Sequence, residues 1–204
     1  HGVSTNLAVK IYKEYGDTSL QVVKEDPYQL ERDIYGIGFK TADRIAQALG
    51  LSPEHPSRIE AGIVFALNET INQGHVYVPN GMLVQRAIEL LEVSHELLQP
   101  GLERLEGQER VRQEKLPRPN GRDDEIIDVV YLAPLYWGEV GVAERIKALA
   151  KAQAPLLLQE KLPETGIDLS DEQGQAVKMA LEHPVSILTG GPGTGKTTCL
   201  KALI

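Results

Sequence analysis

The sequence predicts a mainly α-helical N-terminal region that leads into the beginning of an α/β domain. Three observations support this fold class. Helices introduced by glycine turns repeat within the first 50 residues, and helical and strand-like stretches follow one another between residues 53 and 133. An apolar stretch, a glycine-rich loop and a further helical stretch then occupy residues 184–204.

Composition and charge exclude several classes of protein. The 204 residues carry a net charge of −8, so a surface that binds nucleic acid everywhere is excluded, and any such contact is expected to be local and made largely by backbone groups. No apolar run is long enough to span a bilayer. Cys199 is the only cysteine and the five histidines lack metal-site spacing, which favours a reducing, intracellular setting without structural zinc. The start at His1, with no signal segment, indicates a piece of a longer protein.

Two similar units occur in the first 50 residues, GVSTNLAVKIYKEYG (2–16) and GIGFKTADRIAQALG (36–50). Each predicts a tight glycine turn, a helix with apolar residues three and four apart, and a closing glycine suited to a helix C-cap. A short helix in DPYQLERDIY (26–35) is expected before the second unit.

The turn of the second unit is predicted to bind phosphate. Gly36, Ile37 and Gly38 would point N–H groups outward at the start of a helix, where phosphate binds without sequence being read. Ile37 can bury between the two helices while both glycines let a nucleic-acid backbone approach closely. Lys40 and Thr41 would add side-chain contacts to the same phosphate.

This stretch resembles the tandem helix-hairpin-helix family of DNA-backbone binders. The second unit matches that family closely. In the first unit Gly2 and Ser4 occupy the corresponding positions, but Ser4 replaces a glycine and the leading helix is absent, so its contact with DNA stays open. The alternative is that both units are only glycine-containing turns between helices.

The middle of the chain predicts a winged-helix-like α+β module or a helical spacer. Ser57, with Glu60 three residues later, indicates a capped helix start. Helices are expected at 57–74, 80–93 and 95–107, the last interrupted around Pro100, and strands at 75–79, 109–116 and 125–132.

The last two of these strands would form a hairpin with the densest basic cluster in the chain. Its members are Arg110, Arg112, Lys115, Arg118 and Arg122. Such a wing could lie along a phosphate backbone. A solvated hairpin in a spacer domain is favoured slightly over this reading, and sequence-specific recognition is not expected, since the second helix is not basic.

A linking helix is expected after this module, within 132–154. Near its start Tyr136 and Trp137 could stack on bases of a single strand. Packing between domains is the favoured interpretation of this aromatic pair.

The strongest signal is GGPGTGKT (190–197), which fits the complete phosphate-binding loop pattern between an apolar strand, PVSIL (184–188), and a helix. Its glycines let N–H groups wrap phosphates, Lys196 would reach the β and γ phosphates as the catalytic cation, and the Thr197 hydroxyl would ligate Mg²⁺. The residues predicted to contact ATP are Gly190, Gly191, Pro192, Gly193, Thr194, Gly195, Lys196, Thr197 and Thr198.

A glutamine helix precedes this loop. In LSDEQGQAVKMAL (169–181), Ser170 predicts an N-cap and Gln173 carries an amide that can both donate to and accept from adenine. This frame resembles the adenine-reading glutamine motif of superfamily 1 DNA helicases.

Together these features resemble the RecD-like ATP-dependent DNA helicases of the longer bacterial type. The division expected is 1–52 helix-hairpin-helix, 53–133 winged-helix-like spacer, 134–165 linking helix and linker, and 166–204 the truncated start of a RecA-like ATPase domain. The resemblance implies ATP and Mg²⁺ as cofactors, 5′ to 3′ movement on single-stranded DNA, sequence-nonspecific DNA binding at single strands or junctions, DNA repair or recombination, and a bacterial cytoplasmic location.

Other interpretations remain open at this point. A non-motor DNA-binding or scaffold module with an incidental loop is the main alternative, and a different phosphate-loop ATPase is a weaker one. Because the later helicase motifs would lie beyond Ile204, this chain by itself is expected to bind nucleotide weakly and to show no useful ATP hydrolysis or unwinding.

Overall fold

The structure is a computed structural model that describes residues 4–119, 122, 125–152 and 166–203. It divides into two units, His1–Trp137 and Gly138–Ile204, and each is described by itself. Among the described residues, no helix is both long and apolar enough to cross a membrane. Gly2, the predicted turn residues 120, 121, 123 and 124, and the predicted linker residues 153–165 lie outside the described residues.

The first unit begins with four helices. They are α1 (Thr5–Tyr15), α2 (Ser19–Glu25), α3 (Gln29–Asp33) and α4 (Phe39–Ala48), with one 3₁₀ turn between α1 and α2. The helices of both repeat units are thus confirmed, and α3 is the short helix expected before the second unit. Apolar side chains three and four apart bury into one small core, which contains Ile11, Leu30, Ile34, Ile37 and Ile45.

A helical and sheet-forming module completes this unit. Its elements are α5 (Pro56–Ile71), β1 (Tyr77–Pro79), α6 (Asn80–Leu91), α7 (Leu98–Gly107), β2 (Val111–Pro117) and β3 (Ile126–Leu132). The three strands form one antiparallel sheet in the order β1-β3-β2, with Val78 opposite Val130 and Val111 opposite Leu132. Three helices followed by a β-hairpin is the predicted order.

Two local expectations in this module were wrong. Ser57 does not cap α5, because the His55 side chain accepts from the Ser57 N–H at 3.3 Å and Pro56 starts the helix. Pro100 does not interrupt α7, since it lies in the first turn, where no backbone N–H is needed inside the helix.

A buried ion pair joins the helix-hairpin region to this module. The Arg58 side chain donates from Nε to Asp43 Oδ1 at 2.8 Å, and both side chains are at most 13% exposed. Tyr28 Oη donates to the same carboxylate oxygen at 2.6 Å. Burial, followed by this hydrogen bond, raises the pKa of the Tyr28 hydroxyl well above its usual range. The pair therefore fixes α4 against the start of α5.

The linking helix α8 (Ala133–Lys151) contains the point at which the units divide. The second unit then holds α9 (Asp171–Glu182) and α10 (Lys196–Leu203), whose small core is formed by Val177, Cys199 and Ala202. The helices predicted on both sides of the loop are confirmed.

The predicted strand at 184–188 does not form. No residue in that stretch has strand conformation, and Ile187 is 83% exposed. A β-strand needs a neighbouring strand to pair with, and the described part of this unit offers none. The prediction of a strand at 184–188 was therefore wrong for the residues that the structure describes.

Candidate phosphate-binding sites

The turn between α3 and α4 has a fixed backbone. The Ile37 N–H donates to the Ile34 carbonyl at 3.1 Å, and the Ile37 side chain is 3% exposed, as predicted for an anchor between helices. Gly36 has φ +86°, a conformation that side chains rarely adopt, so this position requires glycine for the turn itself. The hairpin is therefore fixed both by a backbone hydrogen bond and by the buried Ile37 side chain.

The start of α4 is left open for a ligand. Gly38 is its N-cap, and no side chain caps the helix. The Gly38 carbonyl accepts from the Thr41 and Ala42 N–H groups, whereas the N–H groups of the first helical residues have no partner inside a helix. Uncapped N–H groups at a helix start favour an anion.

The backbone at position 38, unlike that at position 36, does not require glycine. Its φ is −100°, which any residue adopts, and a Cβ built there meets nothing within 4 Å. The fold of this chain therefore does not demand glycine at position 38. Open space at this position is what a close-approaching phosphate backbone would use.

The structure adds a cation that the sequence analysis missed. Lys10, on α1, donates from Nζ to the Tyr35 carbonyl at 3.3 Å, beside Gly36, and among the described residues it forms no ion pair with a carboxylate. The two residues are 25 positions apart. The repeat was the available signal, since it predicts that α1 packs beside the second hairpin.

The side chains predicted to contact DNA differ in how accessible they are. Lys40 is exposed with its Nζ 5.7 Å from the centre of the Phe65 ring, while Thr41 is half-buried in the first turn of α4. In the first unit the Ser4 Oγ accepts from the Leu7 N–H at 3.3 Å and caps α1, so that oxygen is already engaged. Gly2 lies outside the described residues.

Most basic side chains of the predicted wing are paired with acids. Arg118 is hydrogen-bonded to Glu125 across the hairpin, and Lys115 lies 3.9 Å from Asp128. Arg112 Nη1 lies 3.9 Å from Glu106. Pairing cancels much of the field that would attract phosphates, which favours the spacer interpretation of this hairpin.

Arg110 also contributes little to an exposed basic surface. Burial, and after it the neighbouring Arg32 guanidinium, lowers the pKa of Arg110. The nearby Glu31 is half-buried, and burial raises the pKa of its carboxyl. Arg32 and Arg110 line a polar depression together with the acidic residues Asp26 and Glu60, so they do not form a basic face.

Tyr136 and Trp137 form part of a packed aromatic row. The rings of Tyr136 and Trp137 meet edge to face at 5.0 Å, Tyr136 also contacts Tyr131, and the Arg112 guanidinium lies within 5.8 Å of both. These contacts lie within the first unit, and Trp137 remains 55% exposed. Packing between domains, the favoured interpretation of the pair, stays a prediction.

In the second unit, the glycine-rich loop ends at the first residue of α10. Gly193 and Gly195 have φ of +82° and +80°, which permits the tight path of the loop. Lys196 Nζ donates to the carbonyls of Gly190 and Gly191, each at 2.6 Å. These carbonyls hold the lysine at the place where the loop would meet phosphates.

Gln173 contacts the loop directly. Its Oε1 accepts from the Ser170 N–H at 3.0 Å and Ser170 Oγ accepts from the Gln173 N–H, which completes a capping box on α9. Its Nε2 donates to the Thr194 carbonyl at 3.2 Å. The amide predicted to read adenine therefore also joins α9 to the loop.

The residues predicted for Mg²⁺ fit that ion in part. Thr197 is exposed in the first turn of α10, and a hydroxyl oxygen is a donor that Mg²⁺ accepts beside phosphate oxygens. Among the described residues there is no cluster of His, Cys, Asp or Glu that could bind a metal without nucleotide. The Thr197 hydroxyl is therefore the oxygen predicted to ligate a metal that would arrive with a nucleotide.

A cleft of about 500 Å³ also opens in this unit, between α9, residues 186–188 and α10. Most of its lining is apolar, including Met179 and Leu200. An apolar lining of this kind would pack against apolar side chains better than it would bind a triphosphate.

Comparisons with known proteins match both parts of the chain that contain these candidate sites. The family model described as the ATP-dependent RecD2 DNA helicase HHH domain matches residues 1–77, and a model described as an AAA domain matches residues 173–204. The chain is 29% identical over 217 residues to the ATP-dependent RecD2 DNA helicase of Deinococcus radiodurans, an alignment that covers 99% of this chain. RecBCD enzyme subunit RecD from two strains of Mycobacterium tuberculosis is 37% identical over 78 residues, 37% of this chain.

The chain spans 29% of the Deinococcus protein, and the match to the Mycobacterium subunits spans 13% of those proteins. The two matched family models fall on the two sites described above, one in each unit.

Proposed function

Since the chain is similar in sequence to RecD-like helicases, we propose that it works within an ATP-dependent DNA helicase and supplies both a DNA-backbone contact and the ATP phosphate loop. The observation that carries this proposal is the combination, in one chain, of an uncapped hairpin helix in a helix-hairpin-helix region and a complete phosphate loop joined to Gln173. Each is a site for phosphate oxygens, one on a nucleic acid and one on a nucleotide.

The hairpin would hold the DNA backbone without reading its sequence. Free N–H groups at the start of α4 would donate to one phosphate, and the exposed ammonium groups of Lys10 and Lys40 would add charge. Gly38 leaves room for the backbone to approach. Because these groups would contact phosphate and not base edges, the contact would be independent of sequence.

The loop would bind ATP with Mg²⁺. Lys196 would exchange its two loop carbonyls for the β and γ phosphates, Thr197 would supply a hydroxyl ligand to the ion, and Gln173 would turn its amide toward adenine. When bound, Mg²⁺ neutralises charge on the phosphates. Other loop residues, from Gly190 to Thr198, would contribute mainly N–H groups.

The remaining functional proposals rest on the resemblance to RecD-like helicases. They comprise movement from 5′ to 3′ along single-stranded DNA, action in DNA repair or recombination, binding at single strands or junctions, and a place in the bacterial cytoplasm without a membrane partner. The division at residues 52, 133 and 165 is proposed on the same basis. Useful ATP hydrolysis and unwinding are not proposed for these 204 residues by themselves.

A non-motor DNA-binding module is the second candidate. Two observations favour it: Lys196 is engaged by loop carbonyls, and residues 184–188 form no strand behind the loop. Specific binding of Mg²⁺–ATP that is lost in Lys196→Ala would exclude this candidate, whereas DNA binding without any nucleotide binding would support it.

A glycine comparison tests the hairpin. Gly38→Ala places a methyl group in the space proposed for the DNA backbone, while the fold itself meets no clash there. We expect the variant to fold and to bind DNA at least about threefold more weakly, as steric loss of one phosphate hydrogen bond would give. Fluorescence anisotropy with a labelled oligonucleotide measures the Kd.

Gly81→Ala is the matched control. Gly81 lies near the start of α6, where a Cβ also meets nothing within 4 Å, so this variant should bind DNA like the wild type. Equal DNA affinity of Gly38→Ala and Gly81→Ala would contradict a backbone contact at the hairpin.

A further inference from the structure

Tyr35 is an exposed aromatic residue in an otherwise anchored turn. Its side chain is 98% exposed, while Ile34 on one side and Ile37 on the other are 7% and 3% exposed. Isolated exposed apolar residues are common on protein surfaces and need no explanation by themselves. The position of this one, immediately before Gly36 of the phosphate-binding hairpin, is what carries the argument.

The backbone of Tyr35 is held while its ring is free. Lys10 Nζ donates to the Tyr35 carbonyl at 3.3 Å, and the hydrogen bond from Ile37 to Ile34 closes the turn around it. Within the part of the chain that the structure describes, the Tyr35 ring has no aromatic partner and its hydroxyl no hydrogen bond. A ring on a fixed backbone loses little conformational freedom when it binds a flat partner.

Other exposed aromatic side chains of this unit are already engaged. Tyr12 is 61% exposed but donates its hydroxyl to Asp17 at 3.3 Å, and Trp137 packs against Tyr136 and Arg112. Both also lie away from the Gly36 to Gly38 turn in the sequence and in their contacts. Tyr35 is therefore the aromatic ring attached to the candidate phosphate site.

The spacing suits a single nucleotide. Consecutive Cα atoms are about 3.8 Å apart, so the Tyr35 Cα lies within roughly 11 Å of the Gly38 Cα even in a fully extended chain. A nucleotide whose phosphate meets the N–H groups of α4 can therefore place its base near the ring. In a duplex that base is stacked between its neighbours, whereas in a single strand or at a frayed junction its face is accessible.

We propose that Tyr35 stacks on an unpaired base whose phosphate is bound by the Gly36 to Gly38 hairpin, so that this site prefers single-stranded DNA to duplex. The inference rests on the proposed DNA contact and specifies its substrate. Backbone N–H groups and Lys10 would bind the phosphate, and the ring would bind the base face without selecting among bases.

The test compares three oligonucleotides of one length: a single strand with bases, the same strand abasic throughout its central positions, and the duplex. Each is titrated with wild type, Tyr35→Ala and Tyr35→Phe. Tyr35→Ala should weaken binding of the base-bearing single strand by about 5- to 100-fold, the range that one stacked base contributes. Binding of the abasic strand and the duplex should stay unchanged, and Tyr35→Phe should behave like the wild type.

Tyr12→Ala is the control, because it removes another exposed tyrosine of the same region. Since the Tyr35 side chain is 98% exposed, circular dichroism should show an unchanged fold in its variants. Equal loss on abasic and base-bearing strands, or no loss on either, would overturn the stacking role and leave the backbone contact standing. Failure of the wild type to bind any of the three would overturn the backbone contact as well.

Discussion

At the residue scale, two glycines of one turn serve different purposes. The sequence analysis treated Gly36 and Gly38 alike, as positions that let a DNA backbone approach. Gly36 has φ +86° and is needed by the turn, whereas Gly38 has an ordinary conformation and faces open space. Backbone dihedral angles cannot be assigned residue by residue from a Gly-x-Gly pattern, so this distinction required the structure.

The buried pair of Arg58 and Asp43 is expected to contribute to stability at the residue scale. Removing one partner of such a pair leaves an uncompensated charge in the interior. We expect Asp43→Ala to lower the free energy of unfolding of the first unit by about 3–5 kcal/mol. Urea unfolding followed by the fluorescence of Trp137, the only tryptophan, measures this change.

Asp128→Ala provides the comparison for this prediction. Asp128 lies 3.9 Å from Lys115, and its side chain is 67% exposed, so the variant should lose less than about 1 kcal/mol. Equal effects of the two aspartate substitutions would show that the Arg58 pair contributes no more than a surface contact.

At the element scale, helix α9 and the phosphate loop are joined through Gln173. The sequence predicted the N-cap at Ser170 and assigned Gln173 to adenine, but it could not reveal the hydrogen bond from Gln173 Nε2 to the Thr194 carbonyl. That contact depends on how the loop folds back on α9, which is a tertiary feature. The same residue thus has a role in the structure before any nucleotide binds.

Gln173→Glu separates the two roles of this side chain. A glutamate keeps the acceptor of the capping box and adds a favourable negative charge at the start of α9, but it cannot donate to Thr194. We expect α9 to remain helical and the amides of the loop at 190–195 to exchange about 2- to 10-fold faster, the effect of one lost hydrogen bond. Hydrogen exchange measured by mass spectrometry reports both segments.

Gln175→Glu is the matched control on the same helix. Gln175 is exposed, and the substitution introduces the same charge two residues further along. Unchanged loop exchange in Gln173→Glu, or equal acceleration in Gln175→Glu, would show that the contact with Thr194 does not restrain the loop. Labelling of the buried thiol of Cys199 gives a second reading of opening in this unit.

At the scale of the whole molecule, elements that depend on local sequence were predicted well. Features that depend on contacts with distant residues were predicted poorly. Periodicity and glycine punctuation predicted the helices of both repeat units, the hairpin of β2 and β3 and the helix after the loop. The strand at 184–188 failed because a strand depends on neighbours that a local pattern does not contain. The predicted wing does not present an unpaired basic surface, because acidic residues such as Glu125 pair with its basic residues.

The candidate sites follow the same division. The phosphate loop and the hairpin were predicted from contiguous residues, Gly190 to Thr198 and Gly36 to Thr41, whose spacing indicates phosphate binding. Lys10 and Tyr35 were missed, since one comes from a distant helix and the other is defined by its exposure. Sites assembled from separate parts of the chain need the tertiary structure.

The salt dependence of DNA binding tests the central claim most directly. The logarithm of the binding constant for a single-stranded oligonucleotide is measured against the logarithm of salt concentration for the wild type, Lys10→Ala, Lys40→Ala and Arg118→Ala. Each phosphate contact contributes about −0.7 to this slope. The account predicts that Lys10→Ala and Lys40→Ala each make the slope shallower by about 0.7, while Arg118→Ala, whose side chain is paired with Glu125, leaves it unchanged. An unchanged slope in both lysine variants, with a shallower slope in Arg118→Ala, would place the DNA on the wing and contradict the account.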